Sequence, residues 1–473
     1  MKLENLKNAY DPEQFRKFGK EIIDLMADYL GRAQKDEIPV SEYTDPGQEL
    51  KFWENYQDSG DPIKFYEDVL KRSMHIHHPK YMGHQVSAPL PLSVLGSMVS
   101  SLLNNGMAIY EMGAASSTLE KVVTDNLCQK LGFENGSGII TSGGSLANLT
   151  GLLTARSCMI PENIWEVGPV ENYGVLVSSE SHYCVDRALR ILGFGSNGIQ
   201  KVQVSRDFKM TVDGLEHAYA NATVRGIKIF ALVANAPSTS TGKHEDLRAM
   251  SKFCKDKNLW LHVDAAHGGA AIYSKKYKRL LDGIEEADSV VIDGHKMMMM
   301  PGLMTFLLFK KSKTSYRTFQ QKAQYLWEDD QSEEWFNIGK RTLECTKFMA
   351  STKFYLCQNY YGEKLFEEYV DHQYSLADKF AERLREQVNI QVATSPECNI
   401  LCFRYYDPNR STEDLNRINK NIRETILQEN EFYIVQTTLN KKIFLRMTFM
   451  NHGTSFRILE NFLSRVLQIA LES

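Results

Sequence analysis

An α/β fold built on a seven-stranded, mostly parallel sheet is predicted by three features of the sequence. Seven short β-rich runs alternate with helical patterns between residues 138 and 309, the order that builds a doubly wound sheet. The first run, Gly138-Ile-Ile-Thr-Ser-Gly143-Gly144-Ser145-Leu-Ala-Asn148, passes through two glycines straight into a helix. Two later runs, Leu259-Trp-Leu-His-Val-Asp264-Ala-Ala-His-Gly-Gly269 and Asp288-Ser-Val-Val-Ile-Asp-Gly-His-Lys296, end in polar and small residues. Buried parallel strands end this way where they deliver side chains to the carboxyl edge of a sheet. One edge therefore receives an aspartate and a lysine.

The 473 residues exceed what a single hydrophobic core usually organises. The expected division is an N-terminal helical arm over residues 1–75, a large domain over 76–347 and a smaller C-terminal α+β domain over 348–473. With 43% hydrophobic and 24% charged residues and a formal net charge of -4, the chain has neither the basic excess of a nucleic-acid binder nor an acidic tail. No stretch approaches the roughly 18 uninterrupted apolar residues of a membrane span, and the start, Met1-Lys-Leu-Glu-Asn-Leu-Lys7, lacks a signal-peptide core. The expectation is a cytoplasmic protein without nucleic-acid or membrane partners. The eight cysteines are scattered with no C-x-x-C pair, so reduced, packed thiols are expected.

In chain order, Phe15, Phe18, Ile22, Leu25, Met26 and Tyr29 stand at helical spacing and give a helix over residues 10–33 one apolar face. Pro39, Pro46 and Gly47 break the pattern, and Asp61-Pro62 starts another helix. Met74-His-Ile-His-His-Pro-Lys-Tyr-Met-Gly-His84 contains four histidines, but the acidic or cysteine ligands that usually complete a metal cluster are not nearby. A helix over 92–103 stops at Asn104-Asn105-Gly106, and another covers 116–131. Strands follow near 139, 174–178, 199–204, 227–234, 259–264, 289–292 and 304–309. The C-terminal part reads as helices at 348–360, 363–387, 412–428 and 454–471, with strands at 389–393, 399–405, 432–436 and 443–449.

The glycine turn leaves unpaired N–H groups at a helix start, where an anion such as a phosphate docks. A lysine at a strand end beside a partly desolvated pocket can be neutral some of the time, as covalent chemistry requires. Pyridoxal 5'-phosphate matches this set: Lys296 would form the Schiff base and Asp264 would face the pyridinium nitrogen. A metal reading of His262, Asp264 and His267 leaves Lys296 unexplained.

His-Val-Asp-Ala-Ala-His-Gly-Gly followed by Asp-Gly-His-Lys resembles the pyridoxal-phosphate-dependent group II amino-acid decarboxylases, which include glutamate, aromatic amino acid and diaminobutyrate decarboxylases. The resemblance covers nearly the whole chain and implies a fold type I pyridoxal-phosphate transferase-like architecture. It implies decarboxylation of an L-amino acid by a homodimer whose N-terminal arm packs across the interface. Gly144, Ser145 and Asn148 correspond to the phosphate cup. His182 corresponds to the histidine stacked on the ring, Ala266 to the residue on its opposite face, and His295 to the position before the lysine. Thr239, in the small-residue turn Ala234-Asn-Ala-Pro-Ser-Thr239, corresponds to a group near the cofactor or substrate carboxylate. Tyr110 corresponds to a substrate-pocket wall contributed by the neighbouring subunit, and Arg446, in Ile443-Phe-Leu-Arg446-Met-Thr, to the carboxylate-binding arginine.

The substrate hints diverge. Gln85 and Ser87 stand where glutamate-type enzymes carry a glutamine and a serine. Met82-Gly-His84 and Pro89-Leu-Pro91 resemble diaminobutyrate decarboxylases, and an aromatic substrate stays open. The chain also departs from the family at three places. Pro237 replaces a common glycine, and His267 replaces a bulky aromatic. No tyrosine lies between Glu328 and Gly339, where relatives carry the one that returns a proton to the reacting carbon; Tyr325 is the nearest. An aldehyde-forming oxidative deaminase or a carbon–carbon lyase on the same scaffold are therefore the alternatives.

Overall fold

The computed structural model describes residues 3–57, 60–168, 171–319 and 333–473. The chain divides into two compact units: Met1–His84 with Lys379–Ala393 and Leu401–Ser473, and Gln85–Asp378 with Thr394–Ile400.

The larger unit is organised by a seven-stranded sheet. Its strands are β1 (Ser137–Thr141), β2 (Tyr173–Ser178), β3 (Ile199–Val202), β4 (Lys228–Asn235), β5 (Trp260–Asp264), β6 (Ser289–Asp293) and β7 (Thr305–Phe309). They lie in the order β1-β7-β6-β5-β4-β2-β3. The pairs β2–β3, β2–β4, β4–β5 and β5–β6 are parallel, whereas β7 runs antiparallel to both β6 and β1. Strands β1, β2, β5, β6 and β7 are buried along their whole length. Covering both faces of the sheet accounts for near-continuous apolar runs rather than alternation. The helix Gly144–Met159 buries Ala147, Leu152 and Ala155 in the same core as Val175, Val233, Val291 and Leu307.

Tight connections deliver polar side chains to the carboxyl ends of β1, β2, β4, β5 and β6. Gly143, between β1 and its helix, adopts φ +106°, a region closed to most side chains. Of the apolar positions on the helix Pro91–Leu103, Leu95, Met98, Val99 and Leu102 are each at least 41% exposed. They recur at the spacing of one helical face.

The smaller unit holds a four-stranded sheet of order β10-β11-β9-β8, formed by β8 (Ile390–Val392), β9 (Ile400–Tyr405), β10 (Val435–Leu439) and β11 (Lys442–Thr448). The helix Thr412–Glu429 buries Leu415, Ile418, Ile422 and Ile426, one stripe at intervals of three and four. The sequence places the third of these strands at 432–436, but β10 begins at Val435. Tyr433 instead forms an isolated bridge to Tyr81 and stacks its ring on that residue at 5.4 Å. The N-terminal helix Pro12–Gln34 starts at an Asp11 cap and buries only Ala33, leaving Phe15 57% exposed.

Two of the histidines in the 74–84 stretch serve this unit's packing. The two ring nitrogens of His75 meet the carbonyls of Pro39 and Leu70 at 2.7 and 2.9 Å, and His78 Nε2 meets Asp36 at 2.9 Å. Among the described residues, no group of three or more His, Cys, Asp or Glu side chains is placed to hold a metal ion. Six cysteines (128, 184, 254, 357, 398 and 402) are buried. Among the described residues, no helix is long and apolar enough to cross a membrane.

Candidate active site

A cavity of about 290 Å³ opens at the carboxyl edge of the large sheet. The chain reaches it at six places: the glycine turn after β1, His182 after β2, Asn235 and Thr239 at the end of β4, Asp264 to His267 at the end of β5, Asp293 to Lys296 at the end of β6, and Leu303 before β7. Gly144, Ser145, Asn148, His182, Thr239, Asp264, Ala266, His295 and Lys296, all expected at the site from the sequence, line it together.

Gly144 and Ser145 begin the helix Gly144–Met159, so their N–H groups have no partner within that helix and carry the positive end of its dipole. A Cβ on Gly144 would stand 3.1 Å from Asp293 Oδ1; the missing side chain lets the helix start approach the end of β6.

Both oxygens of Asp264 accept a hydrogen bond, Oδ1 from the Ala266 N–H at 3.1 Å and Oδ2 from Asn148 Nδ2 at 3.2 Å. Burial pushes this carboxyl up from the ordinary carboxylate range. The Lys296 charge and the Ala266 N–H pull against it.

Lys296 Nζ lies 2.8 Å from Asp293 Oδ2. The sequence suggests a lysine whose charge is weakened by desolvation. Burial does pull its pKa down, but the charge and hydrogen bond of Asp293, with Asp264 behind them, more than offset it and the net shift is upward. Asp293 is itself fixed by the Thr305 hydroxyl at 2.5 Å. In the sequence Asp293 stands within the Asp-Gly-His-Lys motif with no signal of this pairing. Asn235 carries no sequence signal either. Its Oδ1 accepts from Ser181 Oγ at 3.1 Å, while its Nδ2, buried at the cavity, has no hydrogen-bond partner among the described residues.

His182 caps the helix Tyr183–Ile191 by accepting the Cys184 N–H at Nδ1 over 3.3 Å. That bond requires a bare Nδ1, so the neutral ring carries its proton on Nε2. Burial keeps the imidazole below its usual pKa, although Asp264 pulls the other way. The Thr239 turn is closed by the Gly242 N–H on the Ser238 carbonyl at 3.0 Å and by Ser238 Oγ against Thr241 Oγ1 at 2.8 Å. His267 forms a wall of the cavity, its Nε2 2.7 Å from Asn399 Oδ1.

The other expected residues lie elsewhere. Ser87 is buried and its hydroxyl approaches the His295 carbonyl at 3.4 Å. Gln85 does not line the cavity; its Nε2 is buried without a hydrogen-bond partner among the described residues. Tyr110, 44% exposed, packs edge-on to Phe336. Arg446 is on β11 in the smaller unit and is buried. Tyr325 falls outside the described residues.

The donor set suits pyridoxal phosphate. A helix start answers a phosphate, a buried carboxylate answers a ring nitrogen, a lysine answers an aldehyde, and Asn235 Nδ2 is left with a donor to give. A larger hollow of about 810 Å³ lies in the smaller unit among the first helices. It has no glycine turn and no strand-end lysine beside a buried aspartate.

The pyridoxal-dependent decarboxylase conserved domain matches residues 46–406. An aromatic-L-amino-acid decarboxylase of Bacillus atrophaeus is 28% identical over 97% of this chain and 96% of its own. The L-aspartate decarboxylase dtxS4 of Metarhizium robertsii is 30% identical over 72% of this chain and 69% of its own. The crystal structure of mouse CSAD in apo form superposes with a TM-score of 0.90 at 22% identity, covering 97% of this chain and 99% of that one. The shared architecture thus survives where few residues are shared.

Proposed function

Because the chain belongs to the pyridoxal-dependent decarboxylase family and is a pyridoxal-phosphate-dependent amino-acid decarboxylase, we propose that Lys296 anchors the cofactor and that the substrate is an acidic L-amino acid. The observation that carries the first part is the meeting of Lys296, Asp264 and the Gly144–Ser145 helix start around one cavity. Bound there, the cofactor supplies an aldehyde for the substrate amine and an electron sink for the carbon that loses carbon dioxide.

The chain's own residues do the rest. Gly144 and Ser145 offer backbone N–H groups to the phosphate, and Asn148 ties the turn to Asp264. The Asp264 carboxylate favours a protonated ring nitrogen. His182, with its proton on Nε2, offers a flat face and a movable proton at the cavity wall. Ala266, Thr239 and His295 complete the cofactor's surroundings. Arg446 is assigned to the substrate carboxylate on the strength of its strand motif, where a planar guanidinium can meet both oxygens.

Asp293 holds the proton on Lys296, and the amine must lose that proton to attack an aldehyde. Replacing Asp293 with asparagine removes the charge that raises the lysine's pKa, so the free-amine fraction at neutral pH increases. Capture of pyridoxal phosphate by the apoprotein should accelerate by about tenfold, roughly one pKa unit. Rapid-mixing absorbance measures this, and an unchanged or slower rate contradicts the role.

An acidic substrate is favoured by the sequence place of Gln85 and Ser87, which matches the glutamine and serine of glutamate-type enzymes, although neither lines the cavity. Screening the purified chain against the common amino acids, diaminobutyrate, cysteine sulfinate and dihydroxyphenylalanine decides the matter. Aspartate, glutamate or cysteine sulfinate should release carbon dioxide and amine in equal amounts. Turnover confined to a diamino or aromatic acid overturns the substrate, and aldehyde with hydrogen peroxide in place of amine overturns the reaction.

The working unit is proposed to be a cytoplasmic homodimer, with Tyr110 of one chain completing the pocket of the other. The exposed apolar face of Leu95, Met98, Val99 and Leu102 and the exposed Tyr110 support an interface there. Leu102→Asp should therefore give monomers by sedimentation velocity and lower activity more than tenfold at ordinary enzyme concentrations, because a charge buried without a partner opposes association. A fully active monomer would rule the shared pocket out.

A further inference from the structure

Behind Asp264 lies a line of buried polar groups of which the assignment of the site uses only Asn148. Trp260, His262 and Asp264 alternate along β5 and so project from one face of the sheet. Ser289 is the register partner of His262 on β6. Trp260 Nε1 meets Ser289 Oγ at 2.8 Å, Ser289 Oγ meets His262 Nδ1 at 2.7 Å, and His262 Nε2 meets Asn148 Oδ1 at 2.9 Å. Asn148 Nδ2 then reaches Asp264 Oδ2 at 3.2 Å. The helix bearing Asn148 comes this close because residue 151 is glycine: a Cβ there would stand 2.5 Å from His262 Cε1.

The direction of every bond in the line follows from its ends. An indole N–H only donates. Asn148 touches two acceptors, the Asp264 carboxylate and the Gly144 carbonyl at 2.9 Å, through one amide atom, so that atom is the NH₂ group. Its oxygen then faces His262 Nε2, which must carry the proton. His262 Nδ1 is left bare and accepts the Ser289 hydroxyl, whose oxygen accepts from Trp260. All four donors point toward Asp264. His262 is fully buried, and burial holds its pKa down at about 4, consistent with a neutral ring of a single tautomer.

We propose that Trp260, Ser289, His262 and Asn148 form a one-way positioning relay that holds Asp264 ionised and in one orientation for the cofactor's ring nitrogen. None of the first three touches the cavity; they act through Asn148 and Asp264. The inference rests on the assignment of Asp264 to that nitrogen. Burial alone would drive a proton onto this carboxyl. A donor polarised by the groups behind it opposes that, because aligned hydrogen bonds strengthen one another.

The test uses the full-length protein. In the apoprotein, histidine-selective ¹⁵N labelling should show His262 neutral with its proton on Nε2, and Ser289→Ala should change that resonance. Binding of pyridoxal 5'-phosphate, titrated by absorbance across pH, should be weakened about tenfold in Ser289→Ala and His262→Phe, as expected when a buried polar group loses its partner and the donor facing Asp264 is no longer polarised from behind. The acid limb of the binding curve should move to higher pH by about one unit, because an Asp264 with a weaker donor protonates more readily. Ser289→Thr, which keeps the hydroxyl, should restore both. Trp260→Phe removes only the indole N–H and should shift the acid limb in the same direction, which covers the case in which the other variants fold poorly.

If His262 carries its proton on Nδ1, or if these variants bind the cofactor like the parent while Asp264→Ala does not, the relay is overturned and the assignment of Asp264 stands. If Asp264→Ala also binds like the parent, that assignment fails and the relay fails with it.

Discussion

Replacing Lys296 with alanine is expected to lower the rate of carbon dioxide release by about a thousandfold or more, because in the proposed role this lysine is both the covalent anchor and the amine held beside the reacting centre. The side chain lies at the end of β6, where buried neighbours and Thr305 fix the geometry of Asp293, and Asp293 fixes Lys296. Alanine at 296 leaves this framework in place, so the variant should fold, and its far-ultraviolet dichroism should match the parent. Activity that persists within tenfold of the parent would remove the lysine from the chemistry. Arginine at 296 should rescue nothing: it keeps a cation for Asp293 but supplies no nucleophilic amine.

Asp264→Asn should have the second-largest effect. A unit pair at ~3 Å with an effective dielectric near ~20 interacts by roughly 5 kcal/mol, and in the proposed site that interaction would keep a ring nitrogen protonated at neutral pH. Asparagine preserves the shape and the Ala266 N–H contact but removes the charge. The rate constant for turnover should fall by about a thousandfold, while the Michaelis constant for the substrate changes little. A variant that loses substrate affinity but keeps its turnover number would mean that Asp264 serves binding rather than the electron sink.

These two residues were legible because their chemistry and position coincide in the linear sequence. An apolar run ends on Asp264 and another ends just before Lys296, and strand ends at one edge of a parallel sheet must meet. The seven strands were legible for the same reason: each is a short apolar run separated from the next by a helical period or a turn. The family motifs added the glycine turn, His182 and Thr239, which meet at the same cavity.

Asp293 was harder to see. Three residues before Lys296, it reads as a strand terminus. That it pairs with the lysine depends on the tight turn through Gly294, whose N–H bonds the Met304 carbonyl at 2.9 Å. Asn235 carries no spacing signal; only the register that sets it opposite Asp264 brings it to the site. The relay did leave a trace. Trp260, His262 and Asp264 are three polar-tipped residues at alternate positions of a buried strand, and such groups need partners. The identities of those partners, Ser289 and Asn148, come from sheet register and helix packing, which lie beyond a one-dimensional pattern. The shift of β10 to Val435 has a similar origin, since Phe432 and Ile434 are apolar and buried without being in the strand.

The most direct test of Lys296 as the anchor is reductive trapping. Pyridoxal phosphate is added to the purified chain, the complex is reduced with borohydride, and the digest is mapped by mass spectrometry. A phosphopyridoxyl group on Lys296, absent when the cofactor is withheld, is the predicted result. A label confined to other lysines, or no label on a chain that still releases carbon dioxide, would contradict it.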